Sequence, residues 1–247
     1  MRPEIVVAGD TEDLVEVAHE ELRAAAFAAV RTRGRFMIAL SGGSTPFALY
    51  RRLAELPEAG EDELPWENIH WFWGDERCVA PEDPDSNYGN TRDALLDHAP
   101  IPAANLHRMR GEDDPEEAAR AYEDELRTAF SVGPHEVPRF DLVLLGIGPD
   151  GHAASLFPGS AALAENRRLC VANRIDRLAA WRLTLTYPVL DAARAIAFLA
   201  EGDAKAEIAA RVLGSLEQPP LPAQLVAPRD GRLLFLLDAA AAARLQR

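Results

Sequence analysis

The sequence predicts an α/β fold, a single domain in which a mainly parallel, Rossmann-like sheet is flanked by helices. Apolar runs of strand length recur along the chain, and amphipathic stretches with helical spacing separate them. This alternation favours parallel strands that are covered by helices. The predicted strands span residues 5–8, 36–40, 69–73, 142–145, 183–186, 196–200 and 233–237.

Two helices carry clear end signals. The first should begin at Thr11 or Glu12 and end before Gly34, because glycine is common just beyond a helix. In the second, Asp114 can cap the free N–H groups, proline suits the first turn, and the pattern continues to about Phe130.

Further helices are expected at four other places. Each follows a strand or a cluster of turn residues. They are predicted over residues 47–56, after a cap at Ser86 or Asn87, around Lys205, and over the alanine run 239–243.

Composition indicates one globular domain over residues 1–247. The chain is 48% hydrophobic and 27% charged, which is enough apolar material for a substantial core. The breaks at 56–65, 131–138 and 219–228 are too short to separate independent cores. No secretory leader or membrane-spanning run is visible, and Cys78 and Cys170 lie far apart, so reduced thiols and a cytoplasmic location are expected.

Charge restricts the partners that this chain can bind. The formal net charge of −14 opposes binding to nucleic acid or to an anionic membrane. An anionic ligand must therefore meet local cations. Of 26 basic residues only Lys205 is a lysine. Either this lysine is present by chance, or it belongs to a binding site that requires a compact ammonium group in place of a planar guanidinium.

A glycine-rich loop, residues 146–160 (GIGPDGHAASLFPGS), follows the strand at 142–145. It places Asp150 and His152 at the carboxyl end of a buried strand, where ligands bind in open α/β sheets. The glycines match the GxGxxG pattern of dinucleotide-binding loops. That interpretation is weak, because the loop lies in mid-chain and Arg167 and Arg168 stand near the position of the expected acid. His152 could also be a structural histidine.

The segment SGGSTP, residues 41–46, lies between a predicted strand and a predicted helix. Gly42 and Gly43 allow close approach of the backbone, and Ser44 and Thr45 add hydroxyls at the positive end of the helix, which together suit a phosphate. The segment lacks the Gly-Lys of an ATP-binding loop, and Pro46 disrupts a serine nucleophile elbow. A plain strand-to-helix turn is the structural alternative.

A polar cluster, WFWGDERCVAPEDPDSNYGNT, follows the strand at 69–73. Asp75 and Arg77 stand just past the strand end, and Arg77 is a candidate anion ligand. Asp83 and Asp85 could suggest a metal site. The neighbouring prolines and the lack of histidine or cysteine ligands favour turn residues instead.

Five segments in series resemble the motifs of the 6-phosphogluconolactonase family, a relative of the glucosamine-6-phosphate deaminases within one sugar-phosphate isomerase-like fold. One such motif alone would be weak evidence, but five in order are specific. They are SGGSTP (41–46), GDER (74–77), DPDSNYGNTRDALL (83–96), GIGPDGHAASLFPG (146–159) and RLTLT (182–186).

The resemblance implies hydrolysis of 6-phospho-D-glucono-1,5-lactone, in the oxidative pentose phosphate pathway, without a metal or organic cofactor. It implies that His152 is the general base and that Asp150 orients it or contacts the sugar. Arg77 would either stabilise the oxyanion or bind the phosphate. The remaining binding residues that it implies are Gly42, Gly43, Ser44, Thr45, Asp75, Arg182 and Lys205. A monomer or small homo-oligomer is expected.

Three other functions are compatible with these motifs. The first is an aldose-ketose isomerase or deaminase that acts on a hexosamine phosphate. Deaminases of this fold follow the Asp-Gly-His turn with a run that contains a glutamate, whereas this chain has Phe157 there, and an apolar ring cannot relay a proton. A non-catalytic sugar-phosphate sensor would use the same loops with a structural His152. A serine hydrolase would use Ser44 as its nucleophile.

Overall fold

The computed structural model describes residues 3–55 and 64–245. The strands are β1 (Glu4–Ala8), β2 (Phe36–Leu40), β3 (Ile69–Trp73), β4 (Asp75–Arg77), β5 (Leu106–His107), β6 (Leu142–Gly146), β7 (Cys170–Ile175), β8 (Ala180–Leu185), β9 (Ala195–Ala200) and β10 (Arg232–Asp238). The helices are α1 (Thr11–Arg33), α2 (Ser44–Ala54), α3 (Asn87–Thr91), α4 (Pro115–Phe130), α5 (Tyr187–Ala192) and α6 (Ala206–Leu213).

The main sheet is parallel and has seven strands in the order β1-β10-β9-β6-β2-β3-β5. Its central strands are buried along their length, since helices cover both faces. Large side chains with no exposed surface, including Phe36, Trp71, Trp73 and Phe198, form one continuous core. The predicted single-domain α/β fold is confirmed.

A second sheet departs from the sequence prediction. Residues 183–186 were expected to join the parallel sheet, but β8 instead pairs antiparallel with β4 and β7. The chain leaves the main sheet at Gly74, whose carbonyl accepts a hydrogen bond from the N–H of Leu185 at 2.9 Å. The prediction was wrong because an apolar run shows burial but does not identify its partner strand.

The ends of α1 and α4 agree with their sequence signals. The Asp10 side chain caps α1 by accepting a bond from the Asp13 N–H at 2.9 Å, and Gly34 ends it with a φ of 75°. Asp114 caps α4 through two N–H groups. The predicted helix over residues 47–56 begins earlier, at Ser44; its expected last residue and most of the break at 56–65 lie outside the described residues.

The predicted helix over the alanine run 239–243 is wrong, because residues 239–244 form successive turns. The Asp238 carboxylate accepts hydrogen bonds from the N–H groups of Ala241, at 2.7 Å, and of Gly202, at about 3 Å. These bonds tie the segment to the neighbouring strand end. A short alanine run cannot offset the cost of starting a helix against such contacts.

Candidate active site

A pocket of about 240 Å³ opens at the carboxyl ends of β2, β6 and β9. Ligands of open α/β sheets bind at this edge. The wall combines the two glycine-containing loops with polar side chains from the following segments. Its residues include 41–46, 146–149, Asp75, Arg77, Asn87, His152 and Lys205. The structure therefore brings together most of the side chains that the sequence analysis selected.

The SGGSTP loop presents the start of α2 to this pocket. Gly43 precedes the helix with a φ of 115°, a conformation suited to glycine, and Ser44 and Thr45 form the first turn. The N–H groups of a first turn have no partner within the helix, and the helix dipole makes them attractive to anions. Because Ser44 and Thr45 line the pocket, the start of α2 suits a phosphate bound there.

Tyr50, which the sequence analysis did not select, holds this loop in place. Its hydroxyl accepts a hydrogen bond from the Ser41 N–H at 3.0 Å and donates one to the Ser41 carbonyl at 2.8 Å. Tyr122 makes the same pair of bonds to Trp73, at the end of β3. Both tyrosines are fully buried, so two strand ends beside the pocket are clamped by side chains from neighbouring helices.

The imidazole of His152 is paired with Asp150. The Nδ1 atom lies 2.5 Å from Asp150 Oδ1, and both side chains are about one quarter exposed. Burial raises the pKa of Asp150, but the hydrogen bond and charge of His152, together with the charge of Arg177, outweigh that effect and lower the pKa overall. The carboxylate therefore accepts from Nδ1–H, and Nε2 of a neutral His152 keeps a lone pair for a proton.

Phe157 and Arg177 complete the surroundings of this pair. The Phe157 ring lies 4.1 Å from the His152 ring, centroid to centroid, at an angle of 31°. Arg177 forms an ion pair with Asp150 Oδ2. The sequence analysis missed Arg177, because nothing in its sequence position shows that a hairpin brings it to Asp150.

Arg77 and Arg182 lie opposite each other on β4 and β8. Arg77 lines the pocket, and its guanidinium donates to the Asp85 carbonyl. Arg182 is placed outside the pocket wall and donates to the Trp181 carbonyl at 3.2 Å. Burial and the positive charge of Arg77 lower the pKa of Arg182. The structure thus puts two cations side by side, and of the two only Arg77 lines the pocket.

Asp75 lines the pocket, but neighbouring side chains already occupy its carboxylate. Oδ2 accepts a hydrogen bond from Ser155 at 2.6 Å, and Oδ1 accepts one from Asn87 at 3.4 Å. The residue as a whole is 8% exposed. Asp75 therefore connects the GDER motif to the histidine loop and to α3, and it forms part of the pocket wall at the same time.

Lys205 reaches the pocket from the end of a short 3-10 turn, Asp203–Lys205, that follows β9. Its Nζ donates to the Ile147 carbonyl at 2.7 Å, which directs the ammonium towards the histidine loop. Burial lowers the pKa of Lys205, although the charges of Asp150 and Glu201 act in the opposite direction. The single lysine of the chain is thus part of the candidate site.

Within residues 3–55 and 64–245, no group of three or more histidine, cysteine or acidic side chains could hold a metal ion. None of the helices in this part of the chain is long and apolar enough to cross a membrane.

A parallel sheet that brings an anion-binding helix start, a lysine and a histidine–carboxylate pair to one edge is typical of α/β enzymes with anionic ligands. A sequence model of the family described as glucosamine-6-phosphate isomerases/6-phosphogluconolactonase matches residues 9–235. The chain belongs to this family, which confirms the resemblance found in its motifs.

Individual relatives agree with this assignment. The 6-phosphogluconolactonase of a Nostoc species is 44% identical over 219 residues, which are 88% of each chain. The human 6-phosphogluconolactonase is 43% identical over 214 residues, 85% of this chain and 81% of the relative.

Solved structures show the same fold. A 6-phosphogluconolactonase from Trypanosoma cruzi superposes with a TM-score of 0.86 at 32% identity, covering 100% of this chain and 98% of the other. A monomeric glucosamine-6-phosphate deaminase shares the fold, with a TM-score of 0.78 at 21% identity over 98% of this chain and 99% of the other.

Proposed function

We propose that this chain hydrolyses 6-phospho-D-glucono-1,5-lactone to 6-phospho-D-gluconate, the second step of the oxidative pentose phosphate pathway, in the cytoplasm. The observation that carries the proposal is the His152–Asp150 pair beside a pocket that also presents the start of α2 and Lys205. Relatives of more than 40% identity that are named 6-phosphogluconolactonase support the same substrate.

In the proposed reaction, His152 Nε2 takes a proton from water while the water oxygen bonds to the lactone carbonyl carbon. The carbonyl π electrons move to its oxygen and form a tetrahedral oxyanion. Arg77 or loop N–H groups stabilise that oxyanion. When the carbonyl re-forms, the bond to the ring oxygen breaks and the ring oxygen receives the proton from His152. Asp150 holds the imidazole by its Nδ1 and stabilises the imidazolium between the two steps.

Phosphate binding is assigned to the start of α2 and to Lys205. The N–H groups at Gly43, Ser44 and Thr45, with Lys205, supply donors and positive charge in a chain that is otherwise acidic. Arg182 lies opposite Arg77 and outside the pocket wall, where its charge adds to the field without direct contact. Asp75 forms part of the pocket wall.

Phe157 favours hydrolysis over deamination of an amino sugar phosphate. Phe157 is 6% exposed and its ring packs on His152, so no carboxylate is available at that position to assist opening of a sugar ring. A lactone is already an activated ester and needs only water, a base and oxyanion donors. We expect no ammonia to be released from glucosamine 6-phosphate.

The test compares lactone disappearance in wild type, His152→Ala and His135→Ala against the spontaneous rate. Removal of the base should lower kcat by ~10² to 10⁴. His135 is an exposed histidine on the connection between α4 and β6, so its substitution is a matched control and should leave the rate unchanged. Wild-type activity in His152→Ala would contradict the mechanism. Release of ammonia from glucosamine 6-phosphate would show that the substrate is an amino sugar phosphate and not the lactone.

A further inference from the structure

The hairpin formed by β7 and β8 brings a charged residue onto the catalytic pair. Its tip is the 3-10 turn Asp176–Leu178, and Arg177 in that turn pairs with Oδ2 of Asp150. The other carboxylate oxygen, Oδ1, is the one that contacts His152. Asp150 is therefore held at both oxygens, by a guanidinium on one side and an imidazole on the other.

A second contact strengthens this arrangement. The Arg177 guanidinium lies 5.1 Å from the centroid of the Phe157 ring, and the same ring packs against His152 at 4.1 Å. A cation near an aromatic face is attracted to it. Arg177 thus contacts both residues that surround His152, through an ion pair with Asp150 and through the Phe157 ring.

The exposure of Arg177 argues against a role in folding. Its side chain is 56% exposed, and ion pairs at such positions contribute little to stability. Its effect on Asp150 is different in kind. A carboxylate that is free to rotate can turn Oδ1 away from the imidazole, whereas a guanidinium at Oδ2 restricts that rotation.

We propose that Arg177 is a positioning residue for His152, acting through Asp150, and that the β7–β8 hairpin supplies it. The inference rests on the proposed role of His152 as general base. Arg177 fixes the rotamer of Asp150, Asp150 fixes the Nδ1–H tautomer of His152, and Nε2 is left facing the pocket as the proton acceptor.

The charged groups around this pair can be named. Within the part of the chain that the structure describes, His152, Arg177 and Lys205 are the cationic or titratable groups that act on Asp150. Lys205 approaches from the end of β9 and also contacts the Ile147 carbonyl. Loss of Arg177 leaves Lys205 in place, so the effects of the two cations can be separated.

The experiment compares Arg177→Met and Arg177→Lys with Arg174→Met. Arg174 is an exposed arginine on β7 of the same hairpin, and its guanidinium lies over the Trp181 ring at 5.8 Å rather than at Asp150. Arg174→Met therefore removes the same charge from the same hairpin without touching the catalytic pair, and it should leave kcat and KM unchanged.

We expect Arg177→Met to lower kcat by about 10-fold with little change in KM, because the base is misplaced while the phosphate donors are intact. Arg177→Lys keeps the charge but not the planar fork of the guanidinium, so it should recover only part of kcat.

A readout that does not need activity separates this inference from the proposed function. Nitrogen-15 NMR of the imidazole follows the tautomer of His152 directly. In Arg177→Met, the fraction with a proton on Nδ1 should fall. An unchanged tautomer would overturn the inference, whatever the substrate. If the tautomer changes as expected but wild type does not hydrolyse the lactone, the proposed function fails and the positioning role of Arg177 stands.

Double variants complete the test. If Arg177 acts through His152, adding Arg177→Met to His152→Ala should cause no further loss of activity. An equal further loss in the His152→Ala background would assign Arg177 to substrate contact or to folding, and would contradict the positioning role.

Discussion

The imidazole of His152 occupies the space that a side chain at Gly148 would need. A Cβ atom built on Gly148 would lie 2.0 Å from both Nδ1 and Cε1 of that ring. Real Cβ contacts are never that short, so the ring and a side chain at Gly148 exclude each other. The Gly148 N–H also donates to the His152 carbonyl at 2.9 Å, which fixes the backbone of the loop around the ring.

Gly148→Ala should therefore displace the His152 ring and lower kcat by roughly 10² to 10³. The loss is bounded by that of His152→Ala, since misplacing a base cannot cost more than removing it. The measurement is kcat for the two single variants and for the double variant Gly148→Ala/His152→Ala. If the methyl group acts only through the ring, the double variant should equal His152→Ala. A further tenfold loss would instead indicate damage to the whole loop.

The parallel sheet and its loops are largely predictable from the sequence, whereas the small sheet is not. The strands β2, β6 and β9 are unbroken apolar runs, which only a buried strand of that length explains. The strand β4 consists of Asp75, Glu76 and Arg77, and nothing in three charged residues predicts pairing with β8. Tertiary contacts, and not local sequence preference, determine where such strands form and which strand they pair with.

The candidate site divides in the same way. His152, Lys205 and the SGGSTP loop stand directly after apolar strands, so parallel topology alone brings them to one edge. Arg177 lies 27 residues from Asp150 and reaches it only because the hairpin folds back. Tyr50 looks like any buried residue of an amphipathic helix, since its hydroxyl bonds to Ser41 appear only in the folded chain.

Lys205 should contribute chiefly to recognition of the phosphate. We expect Lys205→Ala to lower kcat/KM for the phosphorylated lactone by roughly 10- to 100-fold, the value of a hydrogen bond to a charged group. The unphosphorylated gluconolactone should be affected little. Both rates are measured against spontaneous hydrolysis. An equal loss with the two lactones would remove Lys205 from the phosphate site.

The lowered pKa of Lys205 predicts a pH dependence of binding. A lysine is cationic only below its pKa, so burial makes Lys205 lose its charge at a lower pH than an ordinary lysine. Affinity for 6-phosphogluconate, the stable product, should weaken as the pH rises towards 10. In Lys205→Arg the cation persists, and the affinity should stay flat over that range. Titration calorimetry at several pH values measures the affinity of wild type and of Lys205→Arg for 6-phosphogluconate. If the two affinities changed with pH in the same way, the assignment of Lys205 to phosphate binding would be contradicted.

Glu76 anchors the segment that carries Arg77 and Asn87, two residues of the pocket wall. Its buried carboxylate accepts hydrogen bonds from the N–H groups of Arg77, Asn87 and Tyr88, each at 2.7 Å. The Ser86 hydroxyl adds a longer bond at 3.3 Å. One side chain thus satisfies two of the free donors at the start of α3 and joins that helix to β4.

Glu76→Gln should lower the free energy of unfolding by ~2–3 kcal/mol, because the amide group turns an N–H donor towards backbone donors and leaves at least one of them unpaired. Its kcat/KM should also fall, since Arg77 and Asn87 lose their common anchor. Urea unfolding measures the first effect and the lactone assay the second. Glu82→Gln, an exposed carboxyl on the same connection, is the matched control and should change unfolding by less than ~0.5 kcal/mol. If Glu76→Gln lowered the free energy of unfolding no more than Glu82→Gln does, the anchoring role of Glu76 would be disproved.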